Sequence, residues 1–570
     1  MDSRKALISE IFNNTTLIET PFFQRAYVWK EDLWSRFLDD MIFVSKTNTT
    51  HFVGSIILKD APLVQRSSYP YSSRKILVDG QQRLTTLLLL LRVLALKTNS
   101  TMAFDIQFKI MCKDLALRHG KNDYEAFNEV MSLSVAQKIN NTGKKSTIID
   151  AFNYYIDNLD PSLLNYMSII TYTQFVRIDL FADENEQQIF DSLNSLGVNL
   201  TTAELLKNYF YCKDSINEYK NTWVEVFEKD DDVKEYWDTE LEVGRVKRTM
   251  IDIFFNAYFQ MFIQDKKYNI KKEDKDMYER QDNLSLSYQH FINNYCNGDK
   301  SIVTSAIKAY ASCFMRIFNP NLCYMAIPSY SCLERINVII FGLKNSTLIP
   351  YILYLENNVK DKKDLNHIYS ILESYIMRRL VCHYSTKNYN NLFTSLILNK
   401  VIDANTLLSR LNKGTDIPTD SALDSSFIKE TLANNQTKGI IYFIESALRK
   451  DINATTILGF NHYSLEHLMP KKWKNNWAPT GSDVLDEERD NILLTLGNLA
   501  IIPQTLNVKI RDASWNIKKN GSDKKPGLIK CASGLYTLQD VLEKNEWNES
   551  EIKNRAKWMS EQAKKIWTIA

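Results

Sequence analysis

The chain has 570 residues, more than one hydrophobic core normally serves, so roughly two to four domains are expected. Hydrophobic residues at 44% and charged residues at 24% are ordinary globular values, and only 16 glycines argue for a mostly helical protein and against a glycine-rich nucleotide-binding core. A net charge of +2 excludes binding to nucleic acid through bulk basicity, so any such surface must be local, and 8 cysteines without a C-x-x-C pair exclude a zinc ribbon or a redox couple.

In chain order, residues 1–215 read as an α/β domain. Leu17–Gln24 is extended and carries Pro21; a helix starts at Glu31 and puts Trp34, Phe37, Leu38 and Met41 on one face. Phe52–Leu58 and Lys75–Val78 are β-branched strands, followed by a leucine-rich helix, Gln81–Lys97, that begins directly after Asp79-Gly80. Phe104–Met111 and Ile169–Ile178 read as further strands, Asn185–Asn194 and Thr201–Tyr211 as helices. Residues 216–440 carry Tyr, Phe and Leu at helical period and form a helical coupling region, with loop composition at Lys413–Ser426. The last part, 441–570, opens with a helix at Gly439–Arg449, passes through a short strand ending in Glu466-His467, and closes with helix Glu549–Trp567, capped by Asn548 or Ser550. The N-terminus lacks a signal peptide's apolar core, and the longest apolar run, Leu87–Leu91, is broken by Arg92. A soluble, reduced, cytoplasmic protein without membrane contact is expected.

Two constellations carry chemistry. Near the C-terminus stand Glu466-His467-x-x-Pro470, then Leu496-Gly497-Asn498-Leu499, then Asn507. Phosphodiester hydrolysis needs a base for water and a cation for the developing charge. His467 suits the base, Glu466 is a hard oxygen ligand for Mg²⁺ or Mn²⁺, and Asn507 offers a second oxygen. Asn498 would bond across the loop and hold the histidine's strand. These are the parts of a one-metal nuclease of the ββα-metal (HNH) type. The basic run beside Asn507, with Lys509, Arg511, Lys518 and Lys519, is read as phosphate contact to DNA. A Glu-His pair alone is usually structural. The full set, with Trp473, Trp477, Trp515 and the Lys518-Lys519 pair, resembles the C-terminal nuclease domain of GmrSD-type enzymes, a branch of the HNH/His-Me superfamily, over roughly residues 375–570. That resemblance implies His467 as base, Asn498 as positioning residue, and Glu466 and Asn507 on the metal side. Lys471 stands where many relatives carry Gln, and the distal ligand is Asn rather than His.

The other constellation is Ile76-Leu-Val-Asp-Gly-Gln-Gln-Arg-Leu-Thr-Thr86, a strand, a tight turn and a helix start. Helix N-termini bind anions through free N–H groups. Gly80 would let a phosphate approach, Arg83 could fork onto two oxygens, and Asp79 could cap the helix or touch a metal. With Pro21–Trp29, His51–Leu58 and the segment from Ile189 to Asn208, this resembles the DGQQR family over roughly residues 8–215. The family forms the N-terminal half of GmrSD-type enzymes and has a ParB/sulfiredoxin-like fold. The resemblance implies nucleoside triphosphate binding or hydrolysis (ATP, GTP or UTP) at Asp79, Gly80, Gln81, Gln82 and Arg83, with Gln24 and Arg25 beside the pocket. Asn194-Ser-Leu-Gly197 lacks the arginine that relatives place before the glycine. No G-x-x-x-x-G-K-[ST] occurs, which excludes a P-loop motor.

The remaining histidines (His51, His119, His290, His367, His383 and His462) show no ligand spacing, and Arg378-Arg379 reads as a contact between domains before a DNA contact. The expected protein is α+β and predominantly helical: a ParB-like nucleotide-binding or sensor domain, a helical middle and an HNH domain. Its expected role is a modification-dependent (type IV) restriction endonuclease acting on modified phage DNA, akin to phosphorothioate-sensing SspE-type proteins, with a homodimer left open. The alternatives are a nucleotide-dependent sensor of DNA modification that needs a partner, and an RNase toxin.

Overall fold

The computed structural model describes residues 2–21, 24–61, 73–141, 146–181, 201–211, 216–243, 246–279, 284–414, 417–432, 434–449, 457–510, 512–522 and 525–569. It is predominantly helical with small sheets and divides into two compact units, Met1–Glu225 and Val226–Ala570. The stretches 216–440 and 441–570 thus fall almost wholly within one unit. Among the described residues no helix is long and apolar enough to cross a membrane.

The first unit is built on a mixed six-stranded sheet in the order Asp2–Leu7, Thr173–Leu180, His51–Asp60, Ser73–Asp79, Thr16–Glu19, Leu117–Arg118. Ser73–Asp79 lies antiparallel to His51–Asp60 and parallel to Thr16–Glu19. Gln81–Lys97 is a helix at the expected bounds. Leu84 and every residue from Leu87 to Leu91 are buried in the core of this unit, so the helix is apolar all round because it is enclosed. Glu31–Thr47 buries Trp34, Phe37, Leu38 and Met41 as its periodicity requires. The expected strand at Phe104–Met111 is instead helix Thr101–Phe108 followed by a two-residue strand. Phe104 and Phe108 lie four apart with ring centroids 4.8 Å from each other, a helical spacing that outweighs the local β propensity. Ile169–Ile178 likewise divides into helix Tyr166–Tyr172, capped by Asn165, and strand Thr173–Leu180. The expected helix Asn185–Asn194 and the Asn194–Gly197 segment lie outside the described residues.

The second unit packs its aromatic middle as core: Trp237, Phe254, Tyr258, Phe259, Tyr288, Phe291 and Phe314 are all buried. Arg378 is buried too. It donates to the carbonyls of Trp567 (2.6 Å) and Pro418 (2.9 Å) and pairs with Asp420 (2.7 Å). Glu373, five residues earlier on the same helix, accepts two bonds from Arg335 and one from the Trp567 indole. The helix Lys362–Val381 therefore fastens the end of the C-terminal helix, and Arg378 is a structural contact rather than a DNA contact. Part of the expected loop Lys413–Ser426 is helix Asp420–Lys429, begun by a Thr419 cap and buried through Leu423 and Phe427. The last helix spans Glu549–Ile566; Asn548 is its cap, accepting from Ser550 and Glu551.

Candidate active site

Strand Tyr463–His467 pairs antiparallel with Leu499–Pro503, which leads into helix Gln504–Ile510. His467 lies opposite Leu499, and Glu466 opposite Ala500. Neighbouring side chains of a strand point to opposite faces, and here Glu466 is buried while His467 is half-buried. Burial, together with the positive charges of Lys471 and Lys518, pushes the His467 imidazole down to about 4. It is therefore neutral near pH 7 and able to accept a proton.

Asn498 is fully buried and uses both ends of its amide. Its Oδ1 accepts from the Met469 N–H (2.8 Å) and the Trp547 indole N–H (3.0 Å), and its Nδ2 donates to the carbonyls of Met469 (2.8 Å) and Leu493 (3.0 Å). The Leu468 N–H returns to the Asn498 carbonyl at 2.9 Å. This residue staples the chain just after His467 to the second strand. Gly497 beside it lies under the C-terminal helix, where a Cβ would run into the Ile552 carbonyl and Ala556. Arg555 from that helix, buried and lowered to about 9 by burial, donates to the carbonyls of Gly497 (2.8 Å) and Leu499 (2.7 Å).

Lys518 departs from expectation. It lies inside rather than on a phosphate-binding face, donating to Glu466 Oε1 and to the His467 carbonyl (2.7 Å). Burial lowers its ammonium and raises the Glu466 carboxyl, and the attraction within the pair opposes both shifts. Lys519 is partly buried and donates to the Lys544 carbonyl at 2.9 Å. The backbone of Asn507 and Lys509 belongs to helix Gln504–Ile510, but their side chains, and all of Arg511, lie outside the described residues. The metal and DNA roles expected of them gain no geometry. Against a hard divalent ion, the described donors do not fit as they stand. Glu466 already carries an ammonium, and no group of three His, Cys, Asp or Glu among the described residues could hold a metal.

In the first unit, Gly80 begins helix Gln81–Lys97 in the left-handed region (φ 101°), and no side chain caps the helix. Glycine is required there twice over, by φ and because a Cβ would lie 2.6 Å from Ile56. Asp79, expected as a cap, pairs instead with Arg83 (2.8 Å), which also donates to the Ser55 carbonyl (2.7 Å). The guanidinium is therefore not free to fork onto a ligand from both sides, although its Nε is buried without a partner. Gln82 clamps the chain at Ala26, Val28 and Trp29. Gln24 donates to the Val78 carbonyl (2.9 Å), and its Oε1 is another buried atom without a partner. Arg25 is half-buried beside it in sequence.

Sequence reasoning missed what stands behind the motif. Gln81 donates to Asp123 (3.3 Å), whose carboxylate also accepts the Tyr27 N–H (2.8 Å). His119 lies 4.0 Å from Asp123, bonds Thr85 through Nε2 (3.2 Å), and leaves Nδ1 without a partner. Burial drives His119 down to about 3 and Asp123 up to about 6. The available signal was the four-residue step from His119 to Asp123 at the start of helix Lys121–Ser132.

Residues 8–211 match the model of the GmrSD restriction endonuclease N-terminal domain, and residues 417–562 match that of the GmrSD restriction endonuclease C-terminal domain. Together the two cover more than half of the chain. The chain belongs to the GmrSD restriction endonuclease family. GmrSD membership makes it a type IV restriction endonuclease, an enzyme that acts on DNA. The GmrSD N-terminal match contains Asp79–Arg83 with Asp123 behind them, and the C-terminal match contains Glu466, His467, Asn498 and Lys518. No curated protein matches the chain.

Proposed function

We propose that this GmrSD-family chain cuts or nicks modified phage DNA in the cytoplasm through a C-terminal HNH site, and that a nucleoside triphosphate bound or hydrolysed in the N-terminal unit governs the cut. The observation that carries the nuclease reading is the β–β–α succession with His467 at the end of its first strand, partly buried and neutral, and Asn498 stapling the loop behind it. In this reading His467 takes a proton from water, the hydroxide oxygen bonds to phosphorus, and one P–O bond of the backbone breaks with its electron pair leaving on oxygen. Asn498 touches no substrate; it fixes the strand that aims the imidazole. Mg²⁺ or Mn²⁺ belongs to the proposal through Glu466 and Asn507, and when bound it would supply charge for the crowded phosphate.

The nucleotide reading is supported by an uncapped helix N-terminus at Gly80 next to Arg83, and by Arg83 Nε and Gln24 Oε1, which are buried and find no partner among the described residues. Gln81 and Gln82 are committed to internal bonds and act as positioning residues there. The test incubates the purified chain with Mg²⁺ or Mn²⁺ and plasmid, differently modified phage DNA, or RNA, with and without triphosphates. Cleavage of modified DNA that responds to a triphosphate is expected. Cleavage of RNA alone would make the chain a ribonuclease, and cleavage only after adding a partner would make it a sensor.

A further inference from the structure

Lys518 has no task in the reaction as proposed, yet its placement is specific. Its side chain is fully buried, and its ammonium has two anchors of different kind, the Glu466 carboxylate and the His467 carbonyl. Its seat is braced. Trp515, three residues earlier on the same short helix, packs against Trp547 (ring centroids 5.7 Å apart), and the Trp547 indole N–H bonds Asn498 Oδ1. The ammonium therefore sits on the carboxylate that the metal reading requires, within the same packed cluster as the Asn498 staple. An ammonium and a hard divalent cation seek the same oxygen lone pairs, and in a low-dielectric setting their like charges repel strongly.

We propose that Lys518 is an internal counter-cation that keeps Glu466 closed to divalent metal until the ammonium withdraws, so that loading the metal and displacing Lys518 are a single event. This rests on Glu466 being a metal ligand, as proposed above. The disagreement between the donor set and the ion then becomes a property of the resting enzyme: low metal affinity is built into the site by the ammonium on Glu466.

The test measures Mn²⁺ binding to the full chain by the loss of the free-ion electron paramagnetic resonance signal, in wild type, Lys518→Met, Lys518→Arg and Glu466→Gln, and in the double variant Glu466→Gln/Lys518→Met. Expected is at least about tenfold tighter binding in Lys518→Met, no tightening in Lys518→Arg, and loss of the tight site in the double variant. Lys518→Met leaves a buried carboxylate without its partner and is expected to be less stable, so the thermal midpoint with and without Mn²⁺ is the second readout. Mn²⁺ should raise it more in Lys518→Met than in wild type. Equal or weaker Mn²⁺ binding in Lys518→Met, while wild type binds Mn²⁺ through Glu466 and cuts DNA, overturns the counter-cation role alone. Absence of any Glu466-dependent Mn²⁺ site in all the proteins overturns it together with the metal reading.

Discussion

Replacing Asn498 by alanine separates a staple from a substrate-touching residue. The side chain makes four hydrogen bonds inside the fold, to the Met469 N–H and carbonyl, the Leu493 carbonyl and the Trp547 indole. Each buried partner left unsatisfied costs about 1–3 kcal/mol. Four such groups at the lower bound give about 4 kcal/mol, a large share of the roughly 5–15 kcal/mol that holds a domain together. For a unit of this size about 2 °C per kcal/mol applies, so the midpoint should fall by roughly 8 °C. Asn498→Asp keeps both acceptor bonds but turns an oxygen toward two carbonyls, and should be no milder. The assay is thermal unfolding followed by tryptophan fluorescence, with Trp547 as a reporter that loses a bonded partner, alongside DNA cleavage at low temperature. His467→Ala provides the contrast, because its partly buried imidazole makes no bond that holds the strand as Asn498 does and can be lost with a smaller change in midpoint. An Asn498→Ala protein with the wild-type midpoint and no cleavage would refute the reasoning and put Asn498 on the substrate.

His467→Ala should abolish DNA cutting and leave triphosphate hydrolysis intact; cutting at the wild-type rate would remove His467 from the reaction. Arg83→Ala should weaken triphosphate binding, measured by calorimetry, since it deletes the cation beside the uncapped helix start; unchanged affinity would place the pocket elsewhere. Asp123 gives a pH signature. Burial holds its carboxyl at about 6, above the ordinary 3.8, so the folded state binds that proton more tightly than the unfolded state and loses stability as pH rises through about 6. Two units correspond to about 3 kcal/mol as an upper figure. Asp123→Asn should accordingly be stabilised relative to wild type at about pH 7.5, with the gain shrinking as pH falls through about 6 and vanishing only below the ordinary 3.8. His119, depressed to about 3, works in the opposite sense, its contribution present above its ordinary 6.5 and lost on acidification; it is common to both proteins and cancels in the comparison. A pH-independent difference between the two midpoints would sink the assignment.

Elements whose local signals agree are legible in the chain alone. Gln81–Lys97 carries a turn glycine before an unbroken helix former run, and Glu31–Thr47 repeats its large apolar residues at helical period. The two motif clusters were legible as well, because Glu-His-x-x-Pro, Leu-Gly-Asn-Leu and Asp-Gly-Gln-Gln-Arg lie in short contiguous runs. What each polar side chain bonds to is set by packing between distant segments. Burial depends on what packs from elsewhere in the chain: a run of lysines reads the same whether a member faces water or, like Lys518, reaches a carboxylate 52 residues away. The same holds for Asp123, invisible as a partner of Gln81 across 42 residues, and for Arg83, whose pairing with Asp79 replaced the expected cap. Hydrogen bonds between distant segments have no period to read, and a buried group without its partner costs too much to persist, so the packed fold fixes the pairing that composition and spacing leave open.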